Sequence, residues 1–306
     1  MLLYILRRLL SIIPVLFGIS LVLFFLLRAL PGDPAQVIAG ELATQQEVEL
    51  IRQQLGLDEP VYIQYAKFLN RLVHFDLGKS TRTQYPVTQE IAPRLLNTVI
   101  LAVAATFLAC LFGIPAGIIA AVKPYTTLDM VVTALALFGM SMPAFWLGLM
   151  LIIIFSVKLK LLPVGGSGGF VYLILPTITL AAALVAVVAR NTRSAMMEVL
   201  AQDYITTARS KGVVEKMVIL RHGLKNAFIP VITVIGLQFG TMLGGTVLTE
   251  TVFAWPGLGR LLISSILARD YPVIQGAILI FALLFVLTNH LVDLTYAYFD
   301  PKVRYE

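Results

Sequence analysis

The sequence predicts an all-α fold: a polytopic integral membrane protein with six transmembrane helices, a helical insertion on the outer side and a short helix in a cytoplasmic loop. Three observations predict it. Only 13% of the 306 residues are charged and 58% are hydrophobic, whereas a soluble domain carries about 25% charged residues. The apolar residues come in blocks of the ~20 needed to cross a bilayer core as a helix. Lysine and arginine gather in alternate short loops, which sets an orientation. The formal net charge of +6 is therefore read as loop charge and not as a nucleic-acid surface.

The first span is Leu9–Leu30. It follows Arg7 and Arg8 as a secretory signal would, but its apolar run is too long and it lacks a small-residue cleavage site. It is read as a membrane helix that stays, so residues 1–30 form the first segment. Residues 31–96 form the insertion, and 97–306 the core. The remaining spans are Asn97–Val122, Met130–Val157, Tyr172–Arg190, Phe228–Leu248 and Pro272–Val292. The loop between spans four and five holds Arg190, Arg193, Arg209, Lys211, Lys216, Arg221 and Lys225. Lys123 lies between spans two and three, and Lys302 and Arg304 follow the last span. The opposite short loops hold only Lys158, Lys160, Arg260 and Arg269. This bias places both termini and the loop 191–227 in the cytoplasm.

Within the insertion, Thr44-Gln-Gln-Glu47 is a capping-box pattern. Val48, Ile51 and Leu55 follow at helical spacing, and Gly56 offers a helix end. A second helix is expected from about Pro60, with Tyr62, Tyr65, Phe68, Leu69 and Leu72 on its apolar face. Inside the spans, Ser141 and Pro143 in "SMPAFWLG" predict a kink in span three, since proline removes a backbone donor. Gly236, Gly240 and Gly244 form a small-residue stripe in span five, and Gly113 and Gly117 another in span two. Such stripes let membrane helices approach closely. Packing within the chain, a partner helix and a translocation path all remain open readings, and these positions are weak candidates for the path.

Several chemistries are excluded. "DLGKS" at Asp76–Ser80 lacks the first glycine of a phosphate loop, because Val73 stands there. "PGLGR" at Pro256–Arg260 lacks the third glycine of a dinucleotide site and reads as an outer turn. Cys110 is the only cysteine, so no internal disulfide forms. His74, His222 and His290 are too dispersed for a metal or catalytic set. Asn289, His290 and Asp293 near the end of span six are read as a structural polar patch. No carboxylate relay crosses the membrane, so energy for uphill transport must come from another subunit.

One polar segment interrupts the apolar pattern. "DYITTARSKG", Asp203–Gly212, predicts a short helix. Asp203 is expected to cap its start and Gly212 to take the left-handed turn at its end. Span four is expected to continue as helix through "NTRSAMMEVL", so the loop projects from the membrane. A second helix, Val213–Leu220, should follow, with Pro230 opening span five. Tyr204, Ile205 and Ala208 share one face. A helix this short is marginal alone; it needs a surface, and the chain offers no evident cytoplasmic domain to supply one.

This loop resembles the conserved cytoplasmic loop of the membrane subunits of binding-protein-dependent ABC importers. The family's Glu-Ala-Ala, then Gly, falls on Thr206, Thr207, Ala208 and Gly212, and its later apolar-Pro on Ile229-Pro230. Two of the first three positions depart, and the Gly-to-Pro spacing is longer. The form is similar to the dipeptide/oligopeptide branch. So are "LPGDP" (Leu30–Pro34), "SMPAFWLG" (Ser141–Gly148), "RHGLKNAFIPVIT" (Arg221–Thr233), "GGTVLTETVFAWPGLGRLL" (Gly244–Leu262) and "RDYPVIQG" (Arg269–Gly276).

The resemblance implies a type I ABC importer transmembrane fold in the cell membrane of a prokaryote. It implies a second permease subunit as heterodimer partner, two ATPase subunits and an extracytoplasmic binding protein that delivers a peptide or other small solute. ATP and Mg would be bound by the ATPases, with no cofactor in this chain and no enzymatic activity of its own. Asp203, Tyr204, Thr206, Thr207, Ala208, Arg209, Lys211 and Gly212 would form the ATPase-coupling helix. Glutathione, nickel complexes and oligosaccharides are the other cargoes of this branch. A secondary transporter or channel, or a non-transporting membrane anchor, would work without that coupling.

Overall fold

In a computed structural model, the structure describes residues 2–29, 34–39, 43–54 and 56–299. Residues 30–33 of "LPGDP", Leu55, Lys302 and Arg304 lie outside this description, as do the side chains of Arg7, Arg8 and Asp293. The chain is helical, with no strand among the described residues beyond an isolated bridge between Lys79 and Pro86. The helices are α1 (Leu2–Ala29), α2 (Pro34–Ala39), α3 (Gln45–Gln54), α4 (Val61–Val73), α5 (Val87–Val122), α6 (Thr127–Ser141) and α7 (Ala144–Leu151). They continue with α8 (Phe170–Leu200), α9 (Asp203–Ser210), α10 (Glu215–Met217), α11 (Lys225–Val252), α12 (Leu258–Leu267) and α13 (Tyr271–Phe299). π-helical turns extend α7 over Ile152–Lys158 and join α10 to α11 over Val218–Leu224.

Among the described residues four helical stretches are long and apolar enough to cross a membrane: Val87–Val122, Phe170–Leu200, Glu215–Val252 and Tyr271–Val292. The pair α6 and α7 makes a fifth if taken as one span, although it is bent by 99°. Span three was expected to kink, and instead it breaks. α6 ends at Ser141, Met142 is extended (φ −78°, ψ 126°), and Pro143 caps α7. Proline disfavours helical backbone in the residue before it, so the chain turns at Met142 rather than bending through it.

Packing divides the chain into two units. The first comprises Met1–Leu96 and Gly257–Leu283. Here α4 lies on α1 through a core of Leu23, Phe24, Phe68 and Leu279. Phe24 meets Tyr65 edge-on with ring centroids 5.0 Å apart, and the Arg28 guanidinium sits 3.7 Å above the Phe24 ring. Ser20 and Tyr65 share a 3.0 Å hydroxyl hydrogen bond. The capping box forms as its sequence predicts: the Thr44 amide donates to Glu47 at 2.8 Å and the Glu47 amide to Thr44 Oγ1 at 3.4 Å. These bonds hold the Glu47 carboxyl below its usual range. Tyr62, expected on the apolar face of α4, is 74% exposed, and Pro60 caps α4 from just outside it. A second core joins Val87 and Ile91 to Leu258, Leu261, Val273 and Ala277. Buried Asp270 anchors the loop before α5, accepting from Ser80 Oγ and from the Thr81 amide at 3.1 Å. "PGLGR" is not only a turn, since Gly257 caps α12 and Leu258, Gly259 and Arg260 open it.

The second unit comprises Asn97–Pro256 and Leu284–Glu306. α8 is its central helix. Leu180, Leu184, Val188, Thr192 and Met196 recur every four residues and are all buried, which gives α8 a continuous inward stripe. α5 meets that stripe at its two glycines. A Cβ on Gly113 would lie 2.9 Å from the Val185 carbonyl oxygen, and one on Gly117 would lie 2.5 Å from that of Ala189. The stripe in α11 is used unevenly. A Cβ on Gly236 would stand 2.1 Å from Val292, one on Gly240 would stand 3.3 Å from Phe285, and one on Gly244 meets nothing within 4 Å. Gly236 and Gly240 thus pack against α13 of the same chain.

Candidate coupling site

The polar segment folds as a helix, α9, two residues beyond the end of α8. The expected capping residue is corrected: Asp203 is the first helical residue, and extended Gln202 (φ −77°, ψ 149°) precedes it without a side-chain cap. The Gln202 carbonyl accepts from the amides of Ile205 and Thr206 at 3.0 and 3.4 Å. Asp203 still places negative charge in the first turn, where the helix dipole favours it.

The end of α9 is closed as the sequence predicts. Gly212 has φ +74°. The Val213 amide donates to the Ala208 carbonyl at 3.3 Å and the Gly212 amide to that of Arg209 at 3.0 Å. These are the paired bonds of a Schellman turn, whose left-handed residue favours glycine. Across this turn Arg209 makes a forked ion pair with Glu215, at 3.1 Å from Nε and 2.7 Å from Nη2. The carboxylate raises the Arg209 guanidinium further above its ordinary value. Both partners are about half exposed, so the pair orders the turn more than it stabilises the fold, at about 0.2–1 kcal/mol.

The surface that α9 needs comes from its own chain. Ile205 is completely buried, and α9 packs against the π-helical turn Val218–Leu224. The Asn226 amide group donates to Tyr204 Oη at 2.9 Å and to the His222 carbonyl at 3.1 Å. That turn rests on α8, because a Cβ on Gly223 would lie 3.2 Å from Met196 and 3.3 Å from Leu200. Met196, Ala195, Ala227 and Val231 form the buried core beneath it. Burying Ile205 contributes about 1.5–3 kcal/mol, enough to hold eight residues that are marginal alone.

The expected face of Tyr204, Ile205 and Ala208 is therefore split. Ile205 turns inward, Ala208 is half-buried, and Tyr204 stays 42% exposed. The free face carries Asp203, Thr206, Thr207 and Ser210, all exposed, at helical spacing of three and four. Thr207 and Ser210 spend their hydroxyl protons on the carbonyls of Asp203 and Thr206, both at 3.0 Å. What remains outward is a short, mostly uncharged polar surface, with Arg209 and exposed Lys211 at its end. The separate helix expected over Val213–Leu220 does not form. α10, the π-helical turn and α11 run on from Glu215 to Val252, with Pro230 inside α11 and not at its start.

The other singled-out residues lie elsewhere. Ser141 closes α6 by donating to the Leu137 carbonyl at 2.8 Å, one residue before the break, and Gly236 and Gly240 line the α13 contact. Two polar contacts escaped the sequence reading. Thr98 donates to fully buried Glu250 at 2.6 Å. Asp129 accepts both arms of Arg193, at 2.6 Å from Nε and 2.7 Å from Nη2. Opposite charges at the start of α6 and in the last turns of α8 were the available signal for the second. For Glu250, a carboxylate inside an apolar run was the signal, because such groups are rarely buried without a partner.

α8 is thus a long helix, apolar enough over its length to cross a membrane, that is followed by a short polar helix seated on its own chain. The family profile described as "Binding-protein-dependent transport system inner membrane component" matches residues 113–305, and that of its N-terminal region matches residues 1–102. The chain belongs to this family. It is 50% identical over 306 residues to the glutathione transport system permease protein GsiC of Escherichia coli O6:H1 (strain CFT073) and 49% identical to that of strain K12, with all of each chain covered. Solved structures of two ABC transporters share the fold. An inward-facing MetNI methionine ABC transporter gives a TM-score of 0.62 at 17% identity, over 70% of this chain and 97% of that one. An amino acid ABC transporter with histidines gives 0.55 at 18% identity, over 69% and 94%. The chain is a multi-pass inner-membrane permease subunit of an ABC importer.

Proposed function

We propose that the chain forms half of a translocation pathway for glutathione or short peptides, and that α9 couples it to an ATPase subunit. α1, α5, the broken pair α6–α7, α8, α11 and α13 are then six spans. Residues 31–96 stand outside, and both termini and the loop 191–227 lie in the cytoplasm. A second, related permease completes the pathway. Two ATPase subunits bind ATP and Mg, and an extracytoplasmic binding protein delivers the solute. The observation that carries this reading is α9 itself, held by the buried Ile205 and the Schellman turn at Gly212 with its face of Asp203, Thr206, Thr207 and Ser210 turned out. A helix seated this firmly transmits a push instead of yielding to it. Likeness over the full length to glutathione transport permeases supports the substrate class.

The test is uptake by vesicles holding the assembled complex and its binding protein. Accumulation of glutathione or dipeptide is expected only with ATP inside the ATPase-bearing compartment. Accumulation without ATPase subunits would refute coupling, and selective uptake of an oligosaccharide or nickel complex would refute the substrate class. Orientation is checked separately. In a Cys110→Ala background, Lys67→Cys and Lys211→Cys are expected to react with an impermeant thiol reagent from opposite sides. Reaction from one side only overturns the arrangement.

A further inference from the structure

We propose that Asp129 and Arg193 are positioning residues that carry movement of the α9 arm to α6 and the break in span three; this rests on the reading of α9 as the coupling helix. Arg193 lies on α8 seven residues before its end at Leu200, about 10 Å of helix, and α9 begins three residues further on. Asp129 lies in the first turn of α6, twelve residues before the end of that helix at Ser141, or about 18 Å. The ion pair thus joins the arm to the half-helix that stops at Met142.

Three features suit it to that task. The contact is forked, with Nε on Oδ1 and Nη2 on Oδ2, so it fixes orientation as well as distance. The Asp129 side chain is only 5% exposed and that of Arg193 24%, so water and salt screen the pair weakly. The carboxylate is also immobilised from its own side, by the Tyr125 amide at 2.9 Å and by Thr133 Oγ1 at 3.4 Å. α5 closes the same level of the unit. A Cβ on Gly117 would lie 2.6 Å from Thr192 Cβ and 3.0 Å from the Arg193 amide nitrogen. With α5 against its backbone and α6 on its guanidinium, this turn of α8 has little freedom to rotate alone. A displacement of α9 is then shared with α6, whose far end meets a backbone already turned by 99°. Straightening or closing that bend is the response available to it.

The experiment uses the assembled transporter in vesicles, with uptake, ATP hydrolysis stimulated by loaded binding protein, and subunit co-purification measured together. Arg193→Lys keeps the charge but loses the fork. Asp129→Asn removes the charge. Both are expected to assemble and hydrolyse ATP while the ATP consumed per solute imported rises about tenfold, within the range for residues that modulate coupling. The reversed pair, Asp129→Arg with Arg193→Asp, is expected to recover part of that ratio at the assembly yield of the single variants; recovery of assembly without the ratio would mark a merely structural role and overturn the proposal. If Asp129→Asn fails to assemble, Arg193→Lys alone decides. A wild-type ratio in assembled Arg193→Lys overturns the proposal. Thr206→Trp on the free face of α9 separates the two readings. If it uncouples while Arg193→Lys does not, only this proposal falls; if it transports normally, the coupling-helix reading falls.

Discussion

Gly212→Val is expected to abolish ATP-driven uptake while the permease still inserts and assembles. The reason is confined to the backbone. Gly212 sits at φ +74°, and a Cβ added there meets nothing within 4 Å, so no neighbour is displaced. A β-branched residue resists that conformation, at a cost of about 1–3 kcal/mol. The two carbonyls closed by the Schellman turn, those of Ala208 and Arg209, then lose their donors. Arg209 and Glu215 are also drawn out of register, because the turn between them sets their separation. Ile205 holds one side of α9 in place, so the helix is misaimed and not lost. Binding-protein-stimulated ATP hydrolysis and uptake should fall together, and co-purification of the partner permease should persist. Ala208→Glu is a less clean probe, because Ala208 is half-buried beside Ile205 and a charge there disturbs the permease itself. Thr206, exposed and without a side-chain hydrogen bond to another residue among those described above, is the better site for a docking test. Wild-type uptake by Gly212→Val would remove the turn from the coupling reading.

Gly117→Leu should have the largest effect on the fold. A Cβ there would lie 2.5 Å from the Ala189 carbonyl oxygen and 2.6 Å from Thr192 Cβ. The first of these is helix backbone, which yields only if α5 moves away from α8. Overpacking of this kind costs about 1–3 kcal/mol, and more where backbone must shift. The lost contacts include Ala109 with Leu184 and Val188, as well as the seat of Arg193. The variant is expected to lose thermal stability in detergent and to yield little assembled transporter. Gly244→Leu is the matched control. It belongs to the same kind of stripe but adds its side chain to open space, and its stability should stay near wild type. Equal thermal midpoints for both variants would show that the close approach at Gly117 carries no stability.

The elements most legible in the sequence were those with a local cause. The capping box at Thr44, the left-handed end at Gly212 and the continuation of span four through Leu200 each follow from a few neighbouring residues. The misses were of another kind. Asp203 has the chemistry of a cap, but Gln202 takes the place because the chain leaves α8 extended there. Pro230 was read as a helix start, yet the π-helical turn Val218–Leu224 joins α10 to α11 without a gap, and such turns have no sequence signature as direct as a cap. The burial of Ile205 against its own chain was not legible, because the sequence shows which face of α9 is apolar but not what covers it.

By itself the sequence determined that this is a helical membrane protein with several long apolar helices, and that one polar helix stands apart at Asp203–Ser210. It could do so because hydropathy, caps and left-handed glycines act over distances shorter than one helix. Only the tertiary structure decided that α9 is seated on its own chain, that Gly236 and Gly240 face α13 while Gly244 does not, and that Arg193 is bound to Asp129 sixty-four residues away. Those outcomes depend on which helix faces pack together, and faces of equal apolarity look alike in a linear chain until close packing and paired charges select among them.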